Sequence, residues 1–335
     1  MAYKPKLFTE PPTEAKDDKP PYVFTDQIRV AIDVALAADR PLLVTGQPGV
    51  GKSTLARVIA AGLDSRFLSL TVTSRTRLEN LQADLDTLQR LADAQVQRTA
   101  AGKLPPDWTY LRPGVLWWAF DREGAAIRGA TAEDLERLAK IELSPPARLT
   151  DPSEGNTASD KVVVLLDEID KADPDLPNDL LEPLDRRRFS LMLPGRPAVR
   201  QAEDTKRIVL ILTTNGEREL PPAFLRRCVV LDLPEPKSRK NAAGALALED
   251  IAAAHFPDPG AAFAPLFGAV AEEVDALGVE AQAEGRRPPS TAEYLDTLRA
   301  LKDIPDLRTR TEVWAQVKDL LLRKKPGASD GQSPR

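Results

Sequence analysis

Lys52 and Ser53 follow two glycines at a fixed spacing. The stretch "GQPGVGKST", residues 46–54, has the form G-x-x-x-x-G-K-[ST]. Glycines in such a loop let the backbone fold around phosphates, so that several N–H groups point inward. The lysine can reach the β- and γ-phosphates, and the hydroxyl after it suits Mg²⁺. The candidate phosphate-binding residues are Gly46, Gln47, Pro48, Gly49, Val50, Gly51, Lys52, Ser53 and Thr54. A helix beginning near Lys52 would add the partial positive charge of its N-terminus.

Residues 162–170, "VVVLLDEID", supply carboxylates. Asp167 ends an apolar run, at the position where open parallel sheets place their ligands. With Ser53 it is the candidate for holding Mg²⁺. Glu168 beside it could polarise an attacking water as general base. The next apolar run, "RIVLILTTN", ends in Asn215. Its amide could orient that water or touch the γ-phosphate, although asparagine before glycine also favours a plain turn. Asp170 and Asp173 read as helix-entry residues. The glycine loop alone could serve a kinase, a GTPase or a switch; with the carboxylates the set points to hydrolysis of a bound triphosphate with Mg²⁺, in which Lys52, Glu168 and Asn215 act on the terminal phosphate.

The elements that must position these residues are legible as short apolar runs. "PLLVT" (41–45), "FLSLTV" (67–72), "VVVLL" (162–166), "RIVLIL" (207–212) and "CVVLDL" (228–233) predict five strands. Continuous apolar strands are buried on both faces, and helical stretches alternate with them. The pattern predicts an α/β domain with a mostly parallel sheet covered on both faces. "STLARVIAAGL" predicts the helix after the glycine loop. Leu78, Leu81, Leu85, Leu88 and Leu91 predict one face of a long amphipathic helix. "RFSLMLPGRPAVRQ" predicts a hairpin. Residues 1–21 read as a flexible arm, 22–234 as the nucleotide-binding domain, 235–322 as a helical domain and 323–335 as a flexible tail. An insertion at about 121–160 contains one helical stretch and then "SPPARLTDPSEGNTASD", which reads as a mobile loop.

Composition narrows the setting. The chain has 335 residues, a net charge of -5 and no long basic block, which argues against a nucleic-acid partner. One cysteine, Cys228, excludes an intrachain disulfide and fits a reducing compartment. No signal-peptide pattern or membrane-length apolar run occurs, so a soluble cytoplasmic protein is expected. Cys228 reads as a buried small apolar group. The single histidine, His255, reads as structural, at a helix end that favours a charged imidazole. Of adjacent Trp117 and Trp118, one is expected in the core and the other exposed; an exposed aromatic could grip a polypeptide.

"GQPGVGKSTLARVIA", "LLDEIDKADPDLPNDLLEPLD" and "TTNGERELPPAFLRRCVVLDLPEP" together resemble the AAA+ ATPases, and within them the MoxR-like branch. The resemblance spans roughly residues 22–303. It implies a P-loop three-layer αβα core with a C-terminal all-α lid, and a homo-oligomeric ring, usually a hexamer. It implies that Asn215 is the sensor of the γ-phosphate. It also implies that Arg226 or Arg227, Arg227 by slight preference, is an arginine finger reaching the neighbouring subunit's site. A second sensor arginine is common in a lid helix of the family. Here Ala292 stands at that place, behind a capping box of Ser290 and Glu293. Arg286 and Arg287 lie just upstream, and the role stays open. The MoxR-like branch implies a chaperone that remodels or activates a separate protein client, often one with a von Willebrand factor A-type domain. Two other functions fit the motifs: a nucleotide-gated assembly module in a signalling or defence system, and, less well, a DNA-acting motor.

Overall fold

The five apolar runs lie side by side, because a continuous apolar run can bury both faces only inside a sheet. In the computed structural model β1 (Leu42–Thr45), β2 (Arg66–Thr71), β6 (Lys161–Asp167), β9 (Arg207–Thr214) and β10 (Val229–Asp232) lie in one sheet. A short edge strand, β5 (Glu154–Gly155), completes the order β10-β1-β9-β6-β2-β5. β1, β9, β6 and β2 are parallel, and β5 runs antiparallel to β2. The structure describes residues 7–11, 21–100, 104–193, 196–203, 207–238, 246–302, 304, 313–314 and 316–323. Most of the segment read as an arm, the turn of the predicted hairpin at 194–195, and the tail from 324 lie outside them.

By internal packing the chain divides into two compact units. The first comprises Met1–Pro11, Asp26–Thr45 and Ala56–Leu231. Its sheet is flanked by helices. α1 (Asp26–Ala38) precedes β1, and α2 (Lys52–Gly62) follows the glycine loop. In the N-terminal segment Phe8 is buried, and the N–H groups of Leu7 and Phe8 donate to Asp33 Oδ1, both at 3.1 Å.

The long helix expected over residues 78–91 is not formed. α3 (Leu78–Gln82) stops at Ala83, and β3 (Ala83–Leu85) pairs antiparallel with β4 (Leu111–Pro113). α4 (Thr87–Ala100) starts anew between those strands. Leu81 is buried, but Leu88 and Leu91 are 80% and 58% exposed. α5 (Val115–Phe120) then buries both Trp117 and Trp118, so neither is available to grip a polypeptide.

α6 (Arg122–Ala126) and α7 (Ala132–Lys140) open the inserted segment. Its second half is tied down rather than loose. Leu149 N–H donates to Ala126 O at 2.8 Å, and Arg128 donates to Ala147 O at 2.8 Å. Asp151 pairs with Arg122 at 2.5 Å and with buried Arg66 at 3.4 Å. Burial of that charge network, together with the β5 pairing, holds a sequence that composition alone marks as loop. α8 (Leu176–Asp179), α9 (Leu181–Arg186), the antiparallel pair β7 (Arg188–Phe189) and β8 (Val199–Arg200), and α10 (Pro222–Leu225) complete this unit.

The second unit comprises Pro12–Thr25, Gly46–Leu55 and Asp232–Arg335. Its helices are α11 (Leu248–His255), α12 (Gly260–Phe263), α13 (Pro265–Ala283) and α14 (Thr291–Lys302). They pack Leu248, Phe256, Phe263, Phe267, Val274, Tyr294 and Leu298 into an apolar core of their own. His255 ends α11, but burial and the nearby Arg299 hold its pKa below the ordinary value. A neutral imidazole, not the expected charged one, is the favoured form there. No helix among the described residues is long and apolar enough to cross a membrane.

Candidate functional site

β6 delivers two carboxylates at its end, and the geometry of the turn separates their roles. Asp167 continues the strand; Glu168 adopts the left-handed conformation, φ 62° and ψ 50°. For a residue with a side chain that conformation costs about 1–3 kcal/mol. The surrounding hydrogen bonds hold it. Glu168 N–H donates to Thr213 Oγ1 at 2.9 Å, and that same hydroxyl donates to Asp167 Oδ1. Thr213 is 0% exposed. A buried hydroxyl on an apolar strand needs partners, and here one threonine of β9 fixes both candidate acids of β6.

The Glu168 side chain is held at both oxygens. Asn215 Nδ2 donates to Oε1 at 3.2 Å, and Lys171 Nζ donates to Oε2 at 2.7 Å. That bond raises the pKa of the Lys171 ammonium above its usual value. Asn215 itself sits on a turn whose backbone is fixed from below. Asp170 Oδ2 accepts from Asn215 N–H at 3.2 Å and from Glu217 N–H at 3.0 Å. Asp170 is only 3% exposed. It stands in the short helical turn Ile169–Lys171, as expected of a helix-entry residue, and there it is a buried acceptor. The sequence does not mark Thr213, Asp170 and Lys171 as parts of the site. The available signal is a pair of hydroxyls inside "RIVLILTT", which has few other polar groups.

The glycine loop belongs to the second unit. Gly46, Gly49 and Gly51 have φ of +148°, +85° and +95°. At Gly49 a Cβ would lie 2.6 Å from Ser290 Cβ, so close approach as well as conformation requires glycine there. Lys52 opens α2 and is 6% exposed. Its ammonium donates to Gly46 O at 2.7 Å and to Gln47 O at 3.0 Å. The backbone N–H groups of Lys52, Ser53 and Thr54 stand in the first helical turn, where intrahelical acceptors are missing. Gln47, Pro48 and Val50 complete the curve, and Val50 N–H reaches Gln47 O at 3.4 Å. Ser290 and Glu293 form the predicted capping box, with Ser290 N–H on Glu293 Oε2 at 2.7 Å. Arg286 pairs with Glu284 at 2.5 Å, whereas Arg287 reaches the loop, 3.5 Å from Pro48 O.

Among the described residues no three His, Cys, Asp or Glu side chains gather to hold an ion.

Arg226 and Arg227 lie elsewhere. They are exposed, just before β10, and Val229 N–H donates to Pro41 O ahead of β1. β1 runs parallel to β9 with Thr45 beside Thr214. The two arginines therefore occupy the opposite end of the sheet from Glu168 and Asn215. Arg227 pairs there with Asp185 at 3.4 Å.

Residues 41–228 match the AAA domain of the dynein-related subfamily. The chain belongs to this AAA domain family. It has the AAA+ P-loop fold, with a C-terminal helical region, and the family is one of nucleotide-hydrolysing ATPases. Two variant structures of RuvB from Thermotoga maritima are similar to it at 13% and 12% identity, with TM-scores of 0.39 and 0.41. The matches cover 88% and 89% of this chain and 67% and 70% of theirs. The sequence has no match among curated proteins. The family assignment rests on the domain match.

Proposed function

We propose that the chain binds ATP and Mg²⁺ and hydrolyses ATP to ADP and phosphate as a subunit of a ring, most simply a hexamer. In this reading Gly46–Thr54 cradle the phosphates, and Lys52 neutralises their charge. Ser53 and Asp167 would hold Mg²⁺, whose chemistry is to offset charge on the β- and γ-oxygens. Glu168 takes the proton of the attacking water, and Asn215 orients Glu168 and that water.

The observation that carries the ring is the location of the arginines. Glu168 and Asn215 share one end of the sheet, and Arg226 and Arg227 stand at the other. In a single chain with that arrangement both guanidiniums stand at the far strand end from Glu168 and Asn215. A neighbouring copy can bring one to the γ-phosphate. Arginine keeps its charge and matches phosphate oxygens with a planar fork. A finger of this kind is worth about 10³–10⁵ in rate in GTPases.

The work done with the energy follows from the motif resemblance. The stretches around Asp167 and Asn215 support a MoxR-like chaperone that remodels or activates a separate cytoplasmic protein, including one with a von Willebrand factor A-type domain. The experiment is turnover per subunit against protein concentration, with assembly followed by sedimentation, in the presence and absence of such a client. Turnover that rises with assembly and again with client supports the reading. Turnover that is the same in monomer and assembly would remove the shared site.

A further inference from the structure

We infer that Asp170 is a positioning residue for hydrolysis, acting through the turn that carries Asn215; the inference rests on the ATPase reading. Glu168 follows β6 in a left-handed conformation, and the short helical turn Ile169–Lys171 then reverses the chain. Ile169 is buried in the core, which fixes the turn and directs the next side chain toward β9. There Asp170 Oδ2 accepts two backbone N–H groups, from Asn215 at 3.2 Å and Glu217 at 3.0 Å. Gly216, between them, has φ +74°, and its N–H donates to Thr214 Oγ1 at 3.0 Å. The turn after β9 is thus pinned at three consecutive amides.

This arrangement costs something, which argues for a purpose beyond closing a turn. Asp170 Oδ1 is buried with no hydrogen-bond partner among the described residues. An apolar residue and a solvated turn would avoid that burden. What the carboxylate provides is the address of Asn215. With its N–H fixed, the Asn215 side chain spans from the turn to Glu168 Oε1 at 3.2 Å. The carboxylate that anchors the turn and the carboxylate that receives the amide are two residues apart in the segment that follows β6. The sensor amide and the base are therefore set relative to one another by a single rigid segment. Displacement by about 1 Å of a group that positions the reaction can cost on the order of 10²-fold in rate.

The test compares Asp170→Ala, Asp170→Asn, Asn215→Ala and the double variant Asp170→Ala/Asn215→Ala in the full-length chain. Two readouts are taken: amide hydrogen exchange over residues 213–218, and kcat and KM for ATP. Asp170→Ala is expected to speed exchange in that segment and to lower kcat by about 10- to 100-fold, with KM nearly unchanged. Asp170→Asn keeps an acceptor oxygen and is expected to recover most of both. The double variant is expected to be no slower than the slower single variant, because both remove one unit. Unchanged exchange, unchanged kcat despite faster exchange, or multiplicative loss in the double variant would each overturn the inference. Failure of the ATPase reading would show first, as a wild-type chain without turnover. That result would end the role in hydrolysis, and the exchange data would still report whether the turn is pinned.

Discussion

Asn215 Nδ2 donates to Glu168 Oε1 at 3.2 Å, across the ends of two parallel strands. Lys171 occupies the other carboxylate oxygen at 2.7 Å. The Glu168 carboxylate is thus held between an amide and an ammonium, and in the proposed role of base it can take a proton only as an anion. Glu168→Gln preserves shape and amide contact but removes the acceptor charge. Turnover is expected to fall by about 10²–10⁴, with ATP affinity retained. Near-normal turnover, read beside equilibrium binding, would take Glu168 out of its role.

Lys52 makes a different prediction, because in the proposed function its charge serves binding. Its ammonium now rests on the carbonyls of Gly46 and Gln47. In Lys52→Ala the phosphates lose a charged donor, a change of about 1.5–3 kcal/mol, or roughly 10- to 100-fold in Kd. Calorimetric titration with ATP measures it. Wild-type affinity in the variant would mean that the loop does not hold phosphate.

The parallel strands are legible because a strand buried on both faces leaves a continuous apolar run. "VVVLL" and "RIVLIL" are too short for a buried helix and too apolar for a surface loop. The glycine loop is legible because its conformation needs glycine at set positions. The break after Leu81 is not. Leucines at 78, 81, 85, 88 and 91 satisfy helical spacing, yet Ala83–Leu85 are claimed by Leu111–Pro113, a pairing across more than twenty residues that local periodicity does not encode. Asp170 is hidden for a related reason. An acid beside a turn looks solvated until the strand that buries it is placed next to it. Tertiary pairing, not composition, also fixes residues 144–160 through Asp151 and Arg66.

Thr213 links Asp167 and Glu168, and its hydroxyl is fully buried. Thr213→Val keeps the volume and removes both the acceptor of Glu168 N–H and the Thr213 hydroxyl donor to Asp167. The expected cost is about 1–3 kcal/mol, read as a lower urea midpoint at constant slope. Thr213→Ser should recover most of it. If valine is as stable as threonine, the hydroxyl is not holding the strand ends.

Subunit mixing separates the arginines from the rest of the site. Arg227→Ala subunits retain Lys52, and Lys52→Ala subunits retain Arg227. Each preparation alone is expected to be inactive. Mixed assemblies should recover turnover, because some interfaces join an intact loop to an intact finger. The same mixing with Arg226→Ala decides between the two arginines. No recovery at any ratio, with mixed assembly shown by mass spectrometry, would place the finger elsewhere.

His255 offers a pH test free of overlap, since it is the single histidine. Burial, and secondarily Arg299, lower its pKa from the ordinary value of 6.5. A lowered pKa means that the folded helical unit binds the proton less well than the unfolded chain. The stabilisation is therefore complete above about pH 6.5 and is lost as pH falls below it. Proton NMR of the imidazole should give a midpoint below 6.5. Between pH 7 and 5 the wild-type melting temperature should drop further than that of His255→Gln, which subtracts the carboxylates common to both. An imidazole midpoint above 6.5 would mean that the C-terminus of α11 stabilises the charged ring more than burial opposes it.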